Sequence, residues 1–515
     1  MSFTSWAFVA FVLGTLLAYY ILPKRLQWRI LLLASYGFYL SGGTRTVWYL
    51  LFTTLSVYLA GRLLDALNRR RVAADRAEKE RLTRKKKLVV LAALLANFGL
   101  LYVLKYWSFT VEQLQPLFGG KLRSADFVLP LGVSFYTFQA VGYVIDCYRG
   151  KYPAERNPAR LALFTSFFPQ MVQGPISRYG ELGPQLMAQH DFDATEVKYG
   201  IQLVLWGYFK KLVIAERAGV VVSEIFDHYT SYGGAMLAVG VLFYCIQLYC
   251  DFSGGIDITR GVAELFGIHL AENFRRPIYA TSLADYWRRW HITLGQWMRD
   301  YLFYPLSLSK PLGRLGKWSR RKIGGKLGKV IPTSIATFVV YFVIGVWHGA
   351  NFRYLVFGLW NGTIITTSFL LEGRFQALCA RAHIAREGKF WHGVRLIRTN
   401  VLVFFGRYLT RAPRLMAALW MMVQLVRNPQ LSNLWDGTIL TLGLTGKDLV
   451  IVLLGQFAVL VLEFFQERGV KIRAALEQRH WLIQWAAILV LLVVILLLGI
   501  MRGSYIASAF IYQQF

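Results

Sequence analysis

The sequence VIPTSIATFVVYFVIGVWHGANFRYLVFGLWNGTIITTSFLL, at residues 330–371, decides the fold. Within it Arg353 is the only charged residue and His348 is the only histidine. A helix needs about 20 apolar residues to cross a bilayer, so this stretch predicts two spans joined close to His348. A titratable side chain at membrane depth is costly and usually marks a functional site. The alternative for His348 is a core histidine that bonds a backbone carbonyl.

The whole chain has the composition of a membrane protein. Its 515 residues are 56% hydrophobic and only 17% charged, which is unusual for a soluble protein of this length. We predict an all-α, polytopic integral membrane protein with about 11 or 12 transmembrane or re-entrant helices; the central tunnel that these helices are expected to surround is implied by the family resemblance given below. The predicted elements are residues 6–22, 30–40, 46–64, 88–106, 129–148, 161–176, 200–214, 235–250, 331–346, 354–371, 401–408 with 415–426, 449–465 and 482–500.

These elements form one predicted integral domain, residues 1–515. It comprises N-terminal spans in 1–106, a core in 129–371 and C-terminal spans in 395–515. Glycine and proline interrupt the core segments 129–148 and 161–176. Broken backbone at membrane depth persists only where protein or water covers it. We therefore expect these two segments to be half-spans that line a cavity.

The basic residues predict topology rather than nucleic-acid binding. The formal net charge is +30, and the basic residues cluster between apolar runs. Residues 69–87 contain ten Lys or Arg and three acids, and residues 310–329 contain eight and no acid. Such segments stay on the cytoplasmic side and contact anionic lipids. This places the N-terminus outside. The four cysteines show no metal-binding spacing.

Residues 285–306, DYWRRWHITLGQWMRDYLFYPL, predict an amphipathic helix. One interpretation is a helix at the membrane interface with a basic face toward water. A compatible functional interpretation adds His291 to a site and lets Arg288 and Arg289 bind an anionic donor. Bulky residues recur at helical spacing, at Tyr286, Trp290, Leu294, Trp297 and Tyr301.

Asp251 follows an apolar run and precedes an expected break at Ser253-Gly254-Gly255. A carboxylate there can pair with arginine or orient an imidazole. It can equally cap the start of a helix that reaches Leu265. We favour the structural role.

Several motifs together resemble the membrane-bound O-acyltransferase family. They are FFPQ at 167–170 with QGPI at 173–176, DFSG at 251–254, ENF at 272–274 leading to YWRRWH at 286–291, and VWHGA at 346–350. The match is to the branch of alginate O-acetylation and teichoic-acid D-alanyl transfer membrane proteins. The closing FIYQQF at 510–515 also resembles the family's aromatic terminus.

The resemblance implies roles for particular residues. His348 falls on the family's probable catalytic histidine in a tunnel across the membrane, and His291 on a second histidine of the site or its cytoplasmic entrance. Where alginate-branch relatives often have a further His-Gly, this chain has Asn361-Gly362, and an amide can only form hydrogen bonds. The expected substrate- or donor-binding residues are Arg288, Arg289, Trp290, Trp347, Asn361 and Asp251.

The implied reaction is acyl transfer from a cytoplasmic thioester to a hydroxyl reached from outside a bacterial inner membrane. His348 would act as the general base, which requires a neutral imidazole. We expect no bound cofactor, acetyl-CoA as donor, and a polysaccharide or wall polymer as acceptor, reached through an extracytoplasmic partner protein. A D-alanyl carrier protein with teichoic acid is the alternative. A transporter or flippase of an anionic substrate, or a scaffold without chemistry, remains open.

Overall fold

The computed structural model describes residues 1–119, 127–324 and 327–500. The aromatic sequence at 510–515 and Lys326 of the basic segment lie outside the described residues. Within the described residues the regular structure is helical, and β-type pairing is limited to one isolated antiparallel bridge between Phe274 and Trp290. This confirms the predicted all-α class.

The helices are numbered in chain order. The N-terminal helices are α1 Trp6–Ile21, α2 Gln27–Leu40, α3 Val47–Ala73 and α4 Arg76–Leu114. The next group is α5 Val133–Arg149, α6 Pro158–Ser166, α7 Phe168–Met171, α8 Tyr179–Met187, α9 Ala194–Tyr208, α10 Glu216–Asp227 and α11 Gly234–Glu264. The group that carries the histidine motifs is α12 Leu283–Arg289, α13 Ile292–Met298, α14 Tyr304–Ser307, α15 Lys310–Ile323, α16 Leu327–His348 and α17 Phe352–Arg381. The last are α18 Lys389–Arg411, α19 Leu415–Arg427, α20 Gly446–Glu467, α21 Ile472–Glu477 and α22 Trp481–Leu498.

Irregular helical turns join several of these helices. Two π-helical segments, Phe209–Ala215 and Arg299–Phe303, follow α9 and α13. The 3₁₀ turns are Lys24–Leu26, Thr44–Thr46, Gln115–Phe118, Tyr229–Ser231, Pro277–Tyr279, Leu431–Leu434 and Thr438–Thr441.

Seven helices in the described part of the chain are long and apolar enough to cross a membrane. The protein is therefore a multi-pass membrane protein, as predicted. Two other predicted elements, α1 and α19, are shorter apolar helices. The seven are Thr44–Ala73, Arg76–Phe118, Gly234–Glu264, Gly328–His348, Phe352–Arg381, Gly446–Glu467 and Trp481–Leu498.

The two segments predicted as half-spans are short and buried. The second divides into α6 and α7 at Phe167, just before Pro169. The first begins after Gly132, whose φ is +68°. A Cβ atom at Gly132 would lie 1.9 Å from the Met171 carbonyl oxygen, so only glycine lets the two segments approach this closely.

The predicted break at Ser253-Gly254-Gly255 is wrong, because α11 runs through it without interruption. The glycines instead allow α11 to pack closely against α9. A Cβ at Gly254 would lie 2.8 Å from the Gly207 carbonyl oxygen, and one at Gly261 would lie 2.6 Å from that of Gly200. The helix-capping role considered for Asp251 is therefore also wrong, since Asp251 lies inside the helix.

Helices α16 and α17 form the helical hairpin predicted around His348. Asn351 begins α17, and its side-chain oxygen accepts a hydrogen bond from the Arg353 amide at 3.1 Å. A Cβ at Gly345 would lie 2.5 Å from the Tyr354 carbonyl oxygen. This close packing fixes His348 at the turn, as the last residue of α16.

The contact between α9 and α11 generates a stability prediction. In Gly207→Ala the new methyl group would meet the Gly254 carbonyl oxygen at 2.5 Å. We expect a loss of about 1–3 kcal/mol in the free energy of unfolding, because overpacking forces the backbones apart. Gly99→Ala is the matched control, since Gly99 lies in α4 with open space around it. Thermal unfolding of both purified variants in detergent checks this, and equal midpoints would contradict the packing role.

Candidate active site

The block predicted as one amphipathic helix is broken at His291, and that prediction is wrong. Helix α12 ends at Arg289 and α13 begins at Ile292, while His291 takes the left-handed conformation with φ 48° and ψ 52°. This conformation is uncommon and strained for a residue other than glycine. The strain is held in place by the neighbouring strand-like pairing.

That pairing joins residues 272–276 to the WRRWH motif. The Arg275 amide donates to the Arg289 carbonyl at 2.8 Å, and the Ile292 amide donates to the Asn273 carbonyl at 3.0 Å. These bonds use backbone groups that a continuous helix would need for itself. Two motifs that are separate in sequence are therefore a single structural unit.

The bulky face of the block lies in the protein core and not at a lipid interface. The periodic spacing correctly predicts which side chains are buried, but not what buries them. All five are at most 8% exposed: Tyr286, Trp290, Leu294, Trp297 and Tyr301.

Asn273 holds the His291 ring in place. Its side-chain oxygen lies 3.3 Å from His291 Nδ1 and also accepts from the amide and hydroxyl of Thr293, at 3.0 and 2.9 Å. Because that oxygen is an acceptor, the bond assigns the ring proton to Nδ1 and leaves the lone pair on Nε2. His291 itself is 1% exposed.

His348 is buried among aromatic rings and does not face lipid. It is 7% exposed. Its ring centroid lies 5.1 Å from that of Trp347, 5.7 Å from that of Phe357 and 6.2 Å from that of Tyr354. The helical hairpin therefore places an imidazole in the interior of the protein.

Trp347 brings the two histidines into one site. Its ring centroid lies 5.7 Å from that of His291 and 5.1 Å from that of His348. Phe135 of the broken segment packs against both Trp347 and His291, at 6.2 and 6.4 Å. The WRRWH and WHGA motifs thus meet around one indole ring.

Asn361 connects α17 to α12. Its side-chain oxygen accepts a hydrogen bond from Trp287 Nε1 at 3.0 Å, and its amide donates to the Phe357 carbonyl at 2.9 Å. Phe357 in turn contacts His348. Asn361 therefore supports the aromatic wall of the site.

The two arginines of WRRWH differ in environment. Arg289 forms ion pairs with Asp285 at 3.3 Å and with Glu467 at 3.0 Å, and its side chain is 20% exposed. Arg288 is 72% exposed and reaches Asp285 at 3.4 Å. Only Arg288 therefore presents most of its charge to solvent.

Trp290 and Asp251 lie in the surrounding structure. Trp290 stacks on Tyr286 with centroids 5.6 Å apart. Asp251 is buried and pairs with Lys211 at 2.5 Å, and Lys211 also pairs with Glu216 at 2.7 Å. Asp251 is therefore part of a buried ion cluster and does not cap a helix.

Lys105, which was not among the predicted site residues, lies at the end of the His348 helix. Lys105 Nζ donates to the Trp347 carbonyl at 2.8 Å, and the neighbouring Tyr106 hydroxyl donates to the Val346 carbonyl at 2.9 Å. The sequence does contain a signal for this residue, because Lys105 is the only charged residue between Lys87 and Glu112, and an isolated charge in an apolar span usually has a function.

Arg407 is a second missed cation. It is the only charged residue in 399–410, and its guanidinium carbon lies 4.8 Å from the centroid of the Trp290 ring. It also donates a hydrogen bond to the Tyr286 hydroxyl. Lys105 and Arg407 supply positive charge in the protein interior, which favours negative charge developing on a reacting oxygen.

The described residues contain no group of three or more His, Cys, Asp or Glu side chains arranged to hold a metal ion. The arrangement that they do contain is two buried imidazoles around an indole ring, with a lysine on the adjacent helix end. An imidazole so placed can accept a proton from a hydroxyl nucleophile.

Comparison with known proteins identifies the class. The profile of the membrane-bound O-acyltransferase family matches residues 155–388, which include both histidines. The chain is 31% identical over 433 residues to the probable alginate O-acetylase AlgI of Pseudomonas aeruginosa, an alignment that covers 82% of this chain and 74% of the relative. The chain belongs to the membrane-bound O-acyltransferase family, and it is an O-acyltransferase.

Two further relatives carry different names. The peptidoglycan O-acetyltransferase of Helicobacter pylori is 30% identical over 307 residues, covering 55% of each chain. The teichoic acid D-alanyltransferase of Bacillus subtilis is 27% identical over 287 residues, covering 54% of this chain and 67% of the relative.

The lysine at the helix end generates a prediction. Lys105→Met removes the charge and the bond to the Trp347 carbonyl, so we expect acyl transfer to fall by about tenfold or more, in line with the loss of a stabilising donor. Lys105→Arg keeps the charge and should retain most of the activity. Initial rates of both membrane-inserted variants check this. Full activity of Lys105→Met would show that the lysine is structural only.

Proposed function

We propose that this enzyme transfers an acetyl group from a cytoplasmic thioester to a hydroxyl of an extracellular polysaccharide or cell-wall polymer. The relatives named for alginate and peptidoglycan acetylation, each at least 30% identical, support acetyl as the acyl group. The contact of both His291 and His348 with Trp347, inside a multi-pass membrane protein, is the observation that carries the proposal.

The proposed chemistry uses His348 as the general base. Its imidazole accepts the proton of the acceptor hydroxyl while the hydroxyl oxygen attacks the thioester carbon. The carbon–sulfur bond then breaks, and the thiolate takes up the proton, so that an ester and a thiol are the products. General-base catalysis contributes about 10²–10⁴-fold. A site closed by aromatic rings also keeps water from hydrolysing the thioester.

His291 takes a supporting role in this proposal. Its Nδ1 is engaged by Asn273 and its ring packs against Trp347. With the proton on Nδ1, its Nε2 can accept a hydrogen bond from a substrate or from a water in the site. The strained backbone of His291 fixes the direction in which that nitrogen points.

The donor of the proposal is acetyl-CoA, which is a substrate and not a bound cofactor. Its phosphates would meet Arg288 and the basic helix α15, and Arg pairs well with phosphate. This requires the basic segments to face the cytoplasm, with the N-terminus outside, in a bacterial cytoplasmic membrane. The basic residues of α15 are Lys310, Arg314, Lys317, Arg320, Arg321 and Lys322.

The acceptor hydroxyl of the proposal lies on the extracytoplasmic side, where a partner protein completes transfer to the polymer. The similarity to the teichoic acid D-alanyltransferase supports one alternative, in which a carrier protein delivers D-alanine. Family membership favours covalent transfer over a transporter, a flippase or a scaffold.

An experiment that follows the labelled acyl group distinguishes acyl transfer from transport of an intact substrate. Purified protein in liposomes receives radiolabelled acetyl-CoA on one side and a soluble polysaccharide acceptor with the partner protein on the other. The proposal predicts labelled ester on the acceptor in wild type and none in His348→Ala. His392→Ala is the control, because His392 is exposed. If a labelled D-alanyl carrier protein is the better donor, the transferred group is D-alanyl and not acetyl. Ester formation by His348→Ala equal to that of wild type would refute the role of His348 as the base.

The two arginines give a paired prediction. Arg288→Gln removes an exposed charge, so we expect a higher KM for acetyl-CoA with an unchanged melting temperature. Arg289→Gln leaves Glu467 with one fewer partner, so we expect a lower melting temperature. Kinetics and thermal unfolding of the two variants check this. A KM for Arg288→Gln equal to that of wild type would exclude a role in donor binding.

A further inference from the structure

A cavity of about 860 Å³ lies beside the site, between α9, α11, the segment 272–276 and the C-terminal helices α20–α22. It is lined by Asn273, the residue that holds His291. Neither its charged residues nor its apolar wall has a role in the acyl transfer proposed above. The cavity is therefore a candidate binding site for a ligand other than the acyl donor and acceptor.

One part of the cavity is positively charged. Six basic residues and three acids line it. Five of these cations are paired with carboxylates. The pairs are Lys210–Asp257 at 2.6 Å, Arg473–Glu264 at 2.6 Å, Arg276–Glu467 at 2.5 Å, Arg275–Glu272 at 3.2 Å and Arg260–Asp257 at 3.9 Å. For Lys471 no ion pair is recorded within the described residues. The basic residues are Lys210, Arg260, Arg275, Arg276, Lys471 and Arg473, and the acids are Asp257, Glu272 and Glu463.

The other part of the cavity is apolar and borders two of the three least buried spans. Only 22% of the apolar window of α20 and 11% of that of α22 is buried inside the protein. Both helices contribute to the cavity wall, so the apolar part of the cavity lies next to helices that face the bilayer. The apolar lining includes Leu203, Trp206, Ile256, Val459, Ile488 and Leu491.

Two amides that line the cavity have unused hydrogen-bonding capacity. Asn273 is 1% exposed, and its Nδ2 atom has no hydrogen-bond partner among the described residues. Both side-chain amide atoms of Gln202 are buried and also lack a partner there. Buried polar groups are normally satisfied, so these amides indicate an oxygen-bearing ligand.

We propose that this cavity binds an anionic glycerophospholipid drawn from the surrounding membrane. The phosphate lies beside Lys471 and the exposed Arg275 side chain, an ester carbonyl accepts from Asn273 Nδ2, and one acyl chain runs along the wall formed by α20 and α22. Basic residues near a membrane surface attract anionic headgroups.

The spacing of the polar groups favours a lipid over the acyl donor. Asn273 and Arg275 are two residues apart on one extended segment, so their backbones lie within about 7 Å of each other. In a glycerophospholipid only a few bonds separate the phosphate from the ester carbonyl. In acyl-CoA the whole pantetheine arm separates the phosphates from the thioester. Both molecules carry a phosphate, so the test must distinguish them.

The test measures lipid binding by the full-length protein in detergent, by native mass spectrometry with phosphatidylglycerol and phosphatidylcholine as probes. Wild type should prefer phosphatidylglycerol. The double variant Arg275→Gln with Lys471→Gln should lose that preference by about tenfold, because two headgroup contacts are removed. Lys447→Gln is the matched control, since it removes an exposed charge from the opposite end of α20.

A second variant tests the apolar wall independently. Leu491→Trp fills part of the cavity without a change in charge and should weaken binding of both lipids. The proposal is overturned if the double variant keeps the wild-type preference, if Leu491→Trp binds both lipids as wild type does, or if acetyl-CoA displaces the bound phosphatidylglycerol. Displacement would assign the cavity to the donor, and it would leave the proposed chemistry of His348 intact.

Discussion

The packing of two buried histidines against Trp347 is the interaction on which the site depends. Each histidine reaches that position through a different constraint: His348 through the tight α16–α17 hairpin, and His291 through a left-handed residue clamped by Asn273. Neither constraint is useful alone, because proton transfer from a hydroxyl requires the base, the nucleophile and the acyl carbon to share one enclosed space.

A second constraint, the cost of burying charge, determines how the charged residues around the site are arranged. A charge in the membrane interior is tolerated when it is paired or when it serves a function. Lys211, Asp251 and Glu216 form a buried ion cluster, and Arg289 and Arg276 converge on Glu467. These pairs fix α10, α11, α20 and the 272–291 unit relative to one another. Lys105 differs from these pairs, since its recorded hydrogen bond goes to the end of the His348 helix.

Much of this could be predicted from sequence, and the failures have physical causes. Hydropathy was sufficient for the membrane class and for the hairpin around His348. Periodicity correctly gave the buried face at Trp297 and Tyr301, but it could not reveal that α12 and α13 are separated by pairing with a distant segment. The glycines near Gly254 led to the prediction of a helix break, but in the structure they permit close contact between α11 and α9. Glycine can either interrupt a helix or allow two helices to pack closely, and a single sequence does not distinguish these two uses.

The central claim is that His291 and His348 act as one site around Trp347. A double-mutant cycle tests it most directly, with the rate of single-turnover acyl transfer measured for His291→Gln, His348→Gln and the double variant, all shown to be folded. The account predicts strong non-additivity, with the double variant about as slow as His348→Gln alone, as for catalytic groups that work as a unit. If the rate of the double variant is reduced by the product of the two single-variant reductions, the two histidines act independently and the central claim is contradicted.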